Sequence, residues 1–137
     1  MPPRAQEAPI DPRELAELIL QTALDKKAHD PVMLEVGDLV GYAEIFVIVS
    51  ARNPRQVRAI AEDVRTTLKH DHHLLPVGIE GQEAGRWVLV DYDDVVLHVF
   101  LDATRSFYDL EGLWADAPRL PVPDEPAREP DDLFAAP

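Results

Sequence analysis

At 137 residues the chain has room for one domain with a modest core, and its 46% apolar residues fit a soluble globular protein. No run approaches the roughly 18 apolar residues of a membrane span, and with no cysteine a disulfide framework, a thiolate nucleophile and a zinc–thiolate site are all excluded. Thirteen basic against 26 acidic residues give a net charge of −13, which disfavours wrapping DNA or RNA, because neutralising phosphates takes Lys and Arg.

Residues 1–10, with Pro2, Pro3 and Pro9, read as a flexible leader. The start "MPPRAQEAPIDP" has no continuous apolar stretch of the signal-peptide kind, so a cytoplasmic protein is expected. "DPRELAELILQTALDKKA" opens as a helix: Asp11 caps, Pro12 suits the first helical position and Glu14 completes a capping box. Leu15, Leu18, Ile19 and Thr22 then line one helical face. In "DPVMLEVG", Val32, Leu34 and Val36 alternate as a strand does. "EIFVIVSA" is a continuous β-branched and aromatic run, the pattern of a strand covered on both faces.

"NPRQVRAIAEDVRTTLKH" repeats the helix-start chemistry with Asn53, Pro54 and Gln56, and Val57, Ile60, Ala61, Val64 and Leu68 form its core stripe. "LLPVGIEG" predicts a short strand running into a glycine-containing loop, and "RWVLVDYDDVVLHVF" a β-hairpin. "DATRSFYDLEGLW" predicts a short last helix and an apolar closing segment. Residues 115–137 hold six prolines and six acids and are expected to be a disordered tail. The order predicts an α/β domain over residues 11–114, a mixed β-sheet with flanking helices, in which the 54–70 helix leaves the central strand.

Chemistry-bearing clusters are few. "DYD" at 91–93 matches the D-x-D of metal-dependent nucleotidyl transfer, so a transferase built on Asp91, Asp93 and Asp94 is one alternative. That chemistry also needs a Gly-Ser pair at a helix start, and the six glycines here precede Asp, Tyr, Ile, Gln, Arg and Leu. Aspartates at a hairpin turn are explained by their tolerance of left-handed backbone and their local hydrogen bonds. His70, His72 and His73 suit the C-terminal end of a helix macrodipole better than a metal site. Ser50 and Ser106 lie outside any G-x-S-x-G elbow, and no Walker A loop or dinucleotide fingerprint occurs. The sequence therefore predicts no catalytic residue, no metal ligand and no cofactor.

The hairpin carries the interaction signal. With a two-residue loop such as Tyr92-Asp93, position 87 pairs with 98 and 89 with 96. One face then carries Val88, Val90, Val95, Leu97 and Val99, which is core. The other carries Trp87, Leu89, Asp91, Asp94, Val96, His98 and Phe100, a mixture expected of aromatic anchors with a polar rim, unless the first or last helix covers it. From Asp71 to Glu111 nine acidic residues face only Arg86 and Arg105, a surface suited to a basic protein.

"GIEGQEAGRWVLVDYDDVVLHVF" followed by "FYDLEGLW", together with "ALDKKAHDPVMLEV" and "EIFVIVSARNPRQVRAIAEDV", resembles the Iojap family of ribosomal silencing factors from about Leu15 to Trp114. The resemblance implies a nucleotidyltransferase-like fold without the catalytic set and a non-enzymatic role in translation. It further implies binding to the large ribosomal subunit through its protein number fourteen, at the face that meets the small subunit. Occupying that face would obstruct subunit joining and repress translation under nutrient limitation, and organellar relatives imply a large-subunit assembly role as the alternative. Trp87 and Tyr108 match family contact positions, and Asp91 and Asp94 match acids on the same patch. The expected partner-binding set is thus Trp87, Asp91, Asp94, His98, Phe100 and Tyr108, with no DNA or membrane partner. Exposed aromatic patches of this kind can also pair two copies in the absence of the partner. The turn often carries glycine in the family where this chain has Asp93, which can adopt the same backbone.

Overall fold

A computed structural model describes residues 10–122. Helix α1, Pro12–Asp25, starts where Asp11 accepts hydrogen bonds from the backbone N–H groups of Arg13 and Glu14. It buries Leu15, Ala16, Ile19 and Leu20. Strand β1 is His29–Glu35, and a single helical turn, α2, follows at Gly37–Val40. Strand β2, Ile45–Ala51, is buried at all seven positions, as its unbroken apolar run requires. Helix α3, Pro54–His72, is capped by Asn53, whose Oδ1 accepts from the Gln56 N–H at 2.8 Å. The Gln56 side chain reaches back to the Arg52 N–H at 2.8 Å. His73 ends the helix in left-handed backbone, with Lys69, His70 and His72 in the last turn, where positive charge complements the macrodipole.

Strands β3 (Gly78–Glu80), β4 (Trp87–Asp91) and β5 (Val95–Leu101) come next, then helices α4 (Asp102–Tyr108) and α5 (Leu110–Leu113), and a short strand β6 (Arg119–Leu120). The six strands form one sheet in the order β3-β4-β5-β2-β1-β6. Only β2 and β5 run parallel, so the sheet is mixed. Helices α1 and α3 cover one face, over Val47, Val49, Val88, Val90, Leu97 and Val99. On the other face Leu34, Phe46, Ile48, Val96 and Phe100 pack beneath Leu110 and Ala117. Among the described residues this second cover reaches β4 at Trp87, through Tyr108, and leaves the rest of that edge of the face open.

The hairpin register differs from the expected one. Trp87 pairs with Phe100, Leu89 with His98 and Asp91 with Val96. The tip is Asp93-Asp94, because Tyr92 is buried with the α1–α3 core and donates its N–H to Val95 O at 2.9 Å. Asp93 has φ +74, the sign that primed hairpin turns need at their first central residue, and its N–H bonds Asp91 Oδ1 at 2.7 Å. An aromatic side chain gains more from burial than from a solvent-exposed tip, which moves the turn one residue along. The pairing shifts by two, so the side chains keep the faces read from the sequence.

The domain also extends past Trp114. Pro118 O accepts from the Glu35 N–H, β6 pairs Leu120 with Met33, and Ala117 is buried, so residues 115–122 belong to the fold. Their prolines sit in an edge segment, where a missing N–H costs little. Residues 1–9 of the expected leader and 123–137 of the expected tail lie outside the described residues.

Candidate functional site

The uncovered face is built from the cross-strand pairs. The registers place Glu80, Leu89, His98 and Ile48 in one lateral row, and Gly78, Asp91, Val96 and Phe46 in the next. Trp87 lies at the open end of β4 and stacks on Phe100, with ring centroids 4.7 Å apart. Gly81 is what lets the β3–β4 connection turn beside it: its φ is +90, and a Cβ there would run into the Trp87 carbonyl oxygen.

A chain of rings crosses this face. Phe107 meets Tyr108 at 5.0 Å, and Tyr108 meets Trp87 at 5.1 Å. Trp87 meets His98 at 6.0 Å, His98 meets Phe46 at 4.6 Å and Phe46 meets Tyr42 at 6.2 Å. Its ends are open, with Phe107 79%, Tyr108 54% and Tyr42 67% exposed, while Trp87 is half-buried. The middle is sealed.

Two expected contact residues are therefore corrected. Phe100 is fully buried and His98 is 4% exposed, so neither offers a surface to a partner. The cause is the register: opposite β4 and beside β2, both lie under Trp87 and next to Phe46. They support the patch from below. Asp91 is partly exposed on the patch, whereas Asp94 sits at the hairpin tip, where its carbonyl accepts from the Glu44 and Ile45 N–H groups. At about 3.3 Å per residue the tip lies on the order of 20 Å along the strand from Trp87. The six expected positions thus divide into a surface aromatic pair, two acids displaced toward the tip, and two buried supports.

His98 fixes the indole. Trp87 Nε1–H can only donate, so His98 Nδ1 accepts at 3.1 Å and the neutral ring carries its proton on Nε2. Burial disfavours the charged imidazole and pushes its pKa down to about 3. The unfolded chain binds that proton near pH 6.5, so folding stability is expected to fall as pH drops from 6.5 toward 3, by about 1.4 kcal/mol per unit. Glu62 and Glu111, both held below the ordinary carboxylate range, add losses only below about pH 4.5. His98→Asn keeps an acceptor near Nδ1 without titrating. Urea unfolding of this variant between pH 6.5 and 4.5 should show a flatter slope than wild type, and an unchanged slope would contradict the buried neutral ring.

Arg105 anchors the helix that carries Tyr108. Its Nη1 donates to Asp30 O at 2.6 Å and Ser50 Oγ at 2.7 Å, and its Nη2 to Glu111 Oε2 at 2.7 Å. Burial alone would raise the Glu111 carboxyl, but Arg105's hydrogen bonds and charge outweigh it and hold it low. Ser50, at the end of β2, thus serves as a latch for the guanidinium. Of the three aspartates of the transferase alternative, Asp91 holds the turn, its Oδ1 accepting from the Asp93 N–H. Among the described residues no group of three or more His, Asp or Glu side chains is arranged to hold a metal ion, and no helix is long and apolar enough to cross a membrane.

The sequence reading missed Tyr42, Glu80 and Phe107. Glu80 becomes a patch residue only through its pairing with Leu89, and Tyr42 only through its approach to Phe46. Phe107 was legible as the neighbour of Tyr108, but its exposure depends on how α4 sits.

A family model described as ribosomal silencing factor during starvation, RsfS, matches residues 9–136. The chain belongs to the RsfS family. An RsfS protein of Chromobacterium violaceum is 38% identical over 102 residues, covering 74% of this chain and 83% of that protein. One from Bacillus subtilis is 41% identical over 95 residues, covering 69% and 79%. A crystal structure of a Chromobacterium violaceum protein superposes with a TM-score of 0.74 at 32% identity, covering 90% of this chain and 99% of that one. The family and α/β fold expected from the sequence both stand, and the RsfS match runs beyond Trp114, as the fold does.

Proposed function

We propose that this RsfS-family chain binds the large ribosomal subunit through its protein number fourteen and represses translation by blocking the small subunit. The observation that carries the reading is a half-buried Trp87 beside an exposed Tyr108 on a sheet face with acidic neighbours. The exposed parts of both rings remain in contact with water in the monomer, and a partner that covers them removes that apolar area from water. Asp91 and Asp94 accept charge-assisted hydrogen bonds from Lys or Arg and set the orientation. Inhibition follows from occupied space, so no catalytic group is required and the protein acts without turnover.

The test is direct. Purified chain is incubated with large subunits, small subunits are added, and joined ribosomes are measured on density gradients. A concentration-dependent loss of joined ribosomes is expected, and undisturbed joining would refute the blocking mechanism. Affinity for large subunits should also fall several-fold between low salt and about 0.3 M, because exposed ion pairs are screened beyond roughly 10 Å already at 0.1 M. Salt-independent affinity would leave the aromatics as the whole contact and remove the carboxylates from it.

A further inference from the structure

Next to the aromatic pair, a groove of about 390 Å³ opens between Tyr42 and the β3–β4 edge. Gly78 lines it, and the space beside that residue is open, since a Cβ built there meets nothing within 4 Å. The walls are apolar, from Tyr42, Val77 and Leu89, and the rim carries Asp91 and Glu80, the residues paired with Gly78 and Leu89 across the strands. His98 lines the same groove, and its buried Nε2–H has no hydrogen-bond partner among the described residues.

We propose that this groove is a side-chain subsite of the ribosome-facing surface, which takes a lysine or arginine from the bound basic protein. The occupant follows from chemistry. A long cationic side chain lays its methylene stem along Tyr42, Val77 and Leu89 while its charged head meets Asp91 and Glu80. Asp91 Oδ1 is already engaged with the turn, which leaves the carboxylate's second oxygen for a cation. A small anion would meet two carboxylates, and a purely apolar chain would desolvate them without compensation. The subsite is continuous with the proposed contact, since Trp87, Leu89 and Asp91 share one strand.

The proposal rests on the ribosome-binding reading, and one experiment separates the two. Affinity for purified large subunits is measured for the full chain and for Gly78→Ala, Gly78→Val and Gly78→Leu, for Glu80→Gln combined with Asp91→Asn, and for Trp87→Ala. Gly78 has open space around it and no left-handed φ, so its variants should fold normally, checked by circular dichroism. The expected result is a graded loss with side-chain volume, reaching about tenfold for Gly78→Leu, and a flatter salt dependence for the double variant. If Trp87→Ala loses binding while Gly78→Leu stays within twofold of wild type, the groove proposal is overturned and the functional reading survives. If neither substitution weakens binding, both fall.

Discussion

Trp87→Ala is expected to lower affinity for large ribosomal subunits by about 30-fold or more, the consequence of losing roughly 2 kcal/mol at a central aromatic anchor. The indole has two roles that the variant removes together. Its outer face offers apolar area, while its inner face stacks on Phe100 and its Nε1–H donates to His98. Alanine therefore also leaves a buried His98 acceptor unpaired, at about 1–3 kcal/mol of folding stability. Trp87→Phe separates the roles, since it keeps a stackable ring, somewhat smaller than the indole, and loses the N–H. Binding closer to wild type for phenylalanine, with both variants folded by circular dichroism, would assign the affinity to the ring. Wild-type affinity in Trp87→Ala would remove this face from the contact.

Arg105→Ala is expected to cost about 3 kcal/mol of stability and to weaken binding by up to the loss that Tyr108→Ala causes. The guanidinium and the Glu111 carboxylate are 11% and 19% exposed, so removing one leaves the other charged and poorly solvated. Arg105 also ties α4 to the Asp30 carbonyl and to Ser50 at the end of β2, and α4 ends at Tyr108. Releasing it frees the helix that sets the ring of Tyr108 against Trp87. Lysine should rescue little, because a single ammonium cannot serve the carbonyl, the hydroxyl and the carboxylate from one fork. Urea midpoints and subunit binding check both effects, and a stable, fully binding Arg105→Ala variant would show that the latch is idle.

Much of this was legible beforehand because local chemistry and tertiary context agree. Asn53 with Gln56 starts a helix wherever its apolar stripe can be buried, and the stripe from Val57 to Leu68 is buried throughout. The run Ile45–Ala51 admitted one place, the middle of a sheet covered on both sides. The hairpin faces were legible too, because alternation survives any even shift of register. Its tip was not, since two candidate turns contain tolerant aspartates, and only the burial of Tyr92 chooses between them. The end of the domain was misread because proline and acid content describes composition, whereas β6 forms through pairing with β1, more than 80 residues earlier.

The site divides along the same line. Residue order alone established a mixed α/β sheet, an acidic surface and an aromatic hairpin face, since each depends on periodicity or on charge, which a chain carries with it when it folds. Exposure is different: it depends on which neighbours arrive from distant segments. Only the assembled sheet decided that Phe100 and His98 lie beneath the indole, that Tyr42 and Glu80 join the face, and that a groove opens beside them along Gly78.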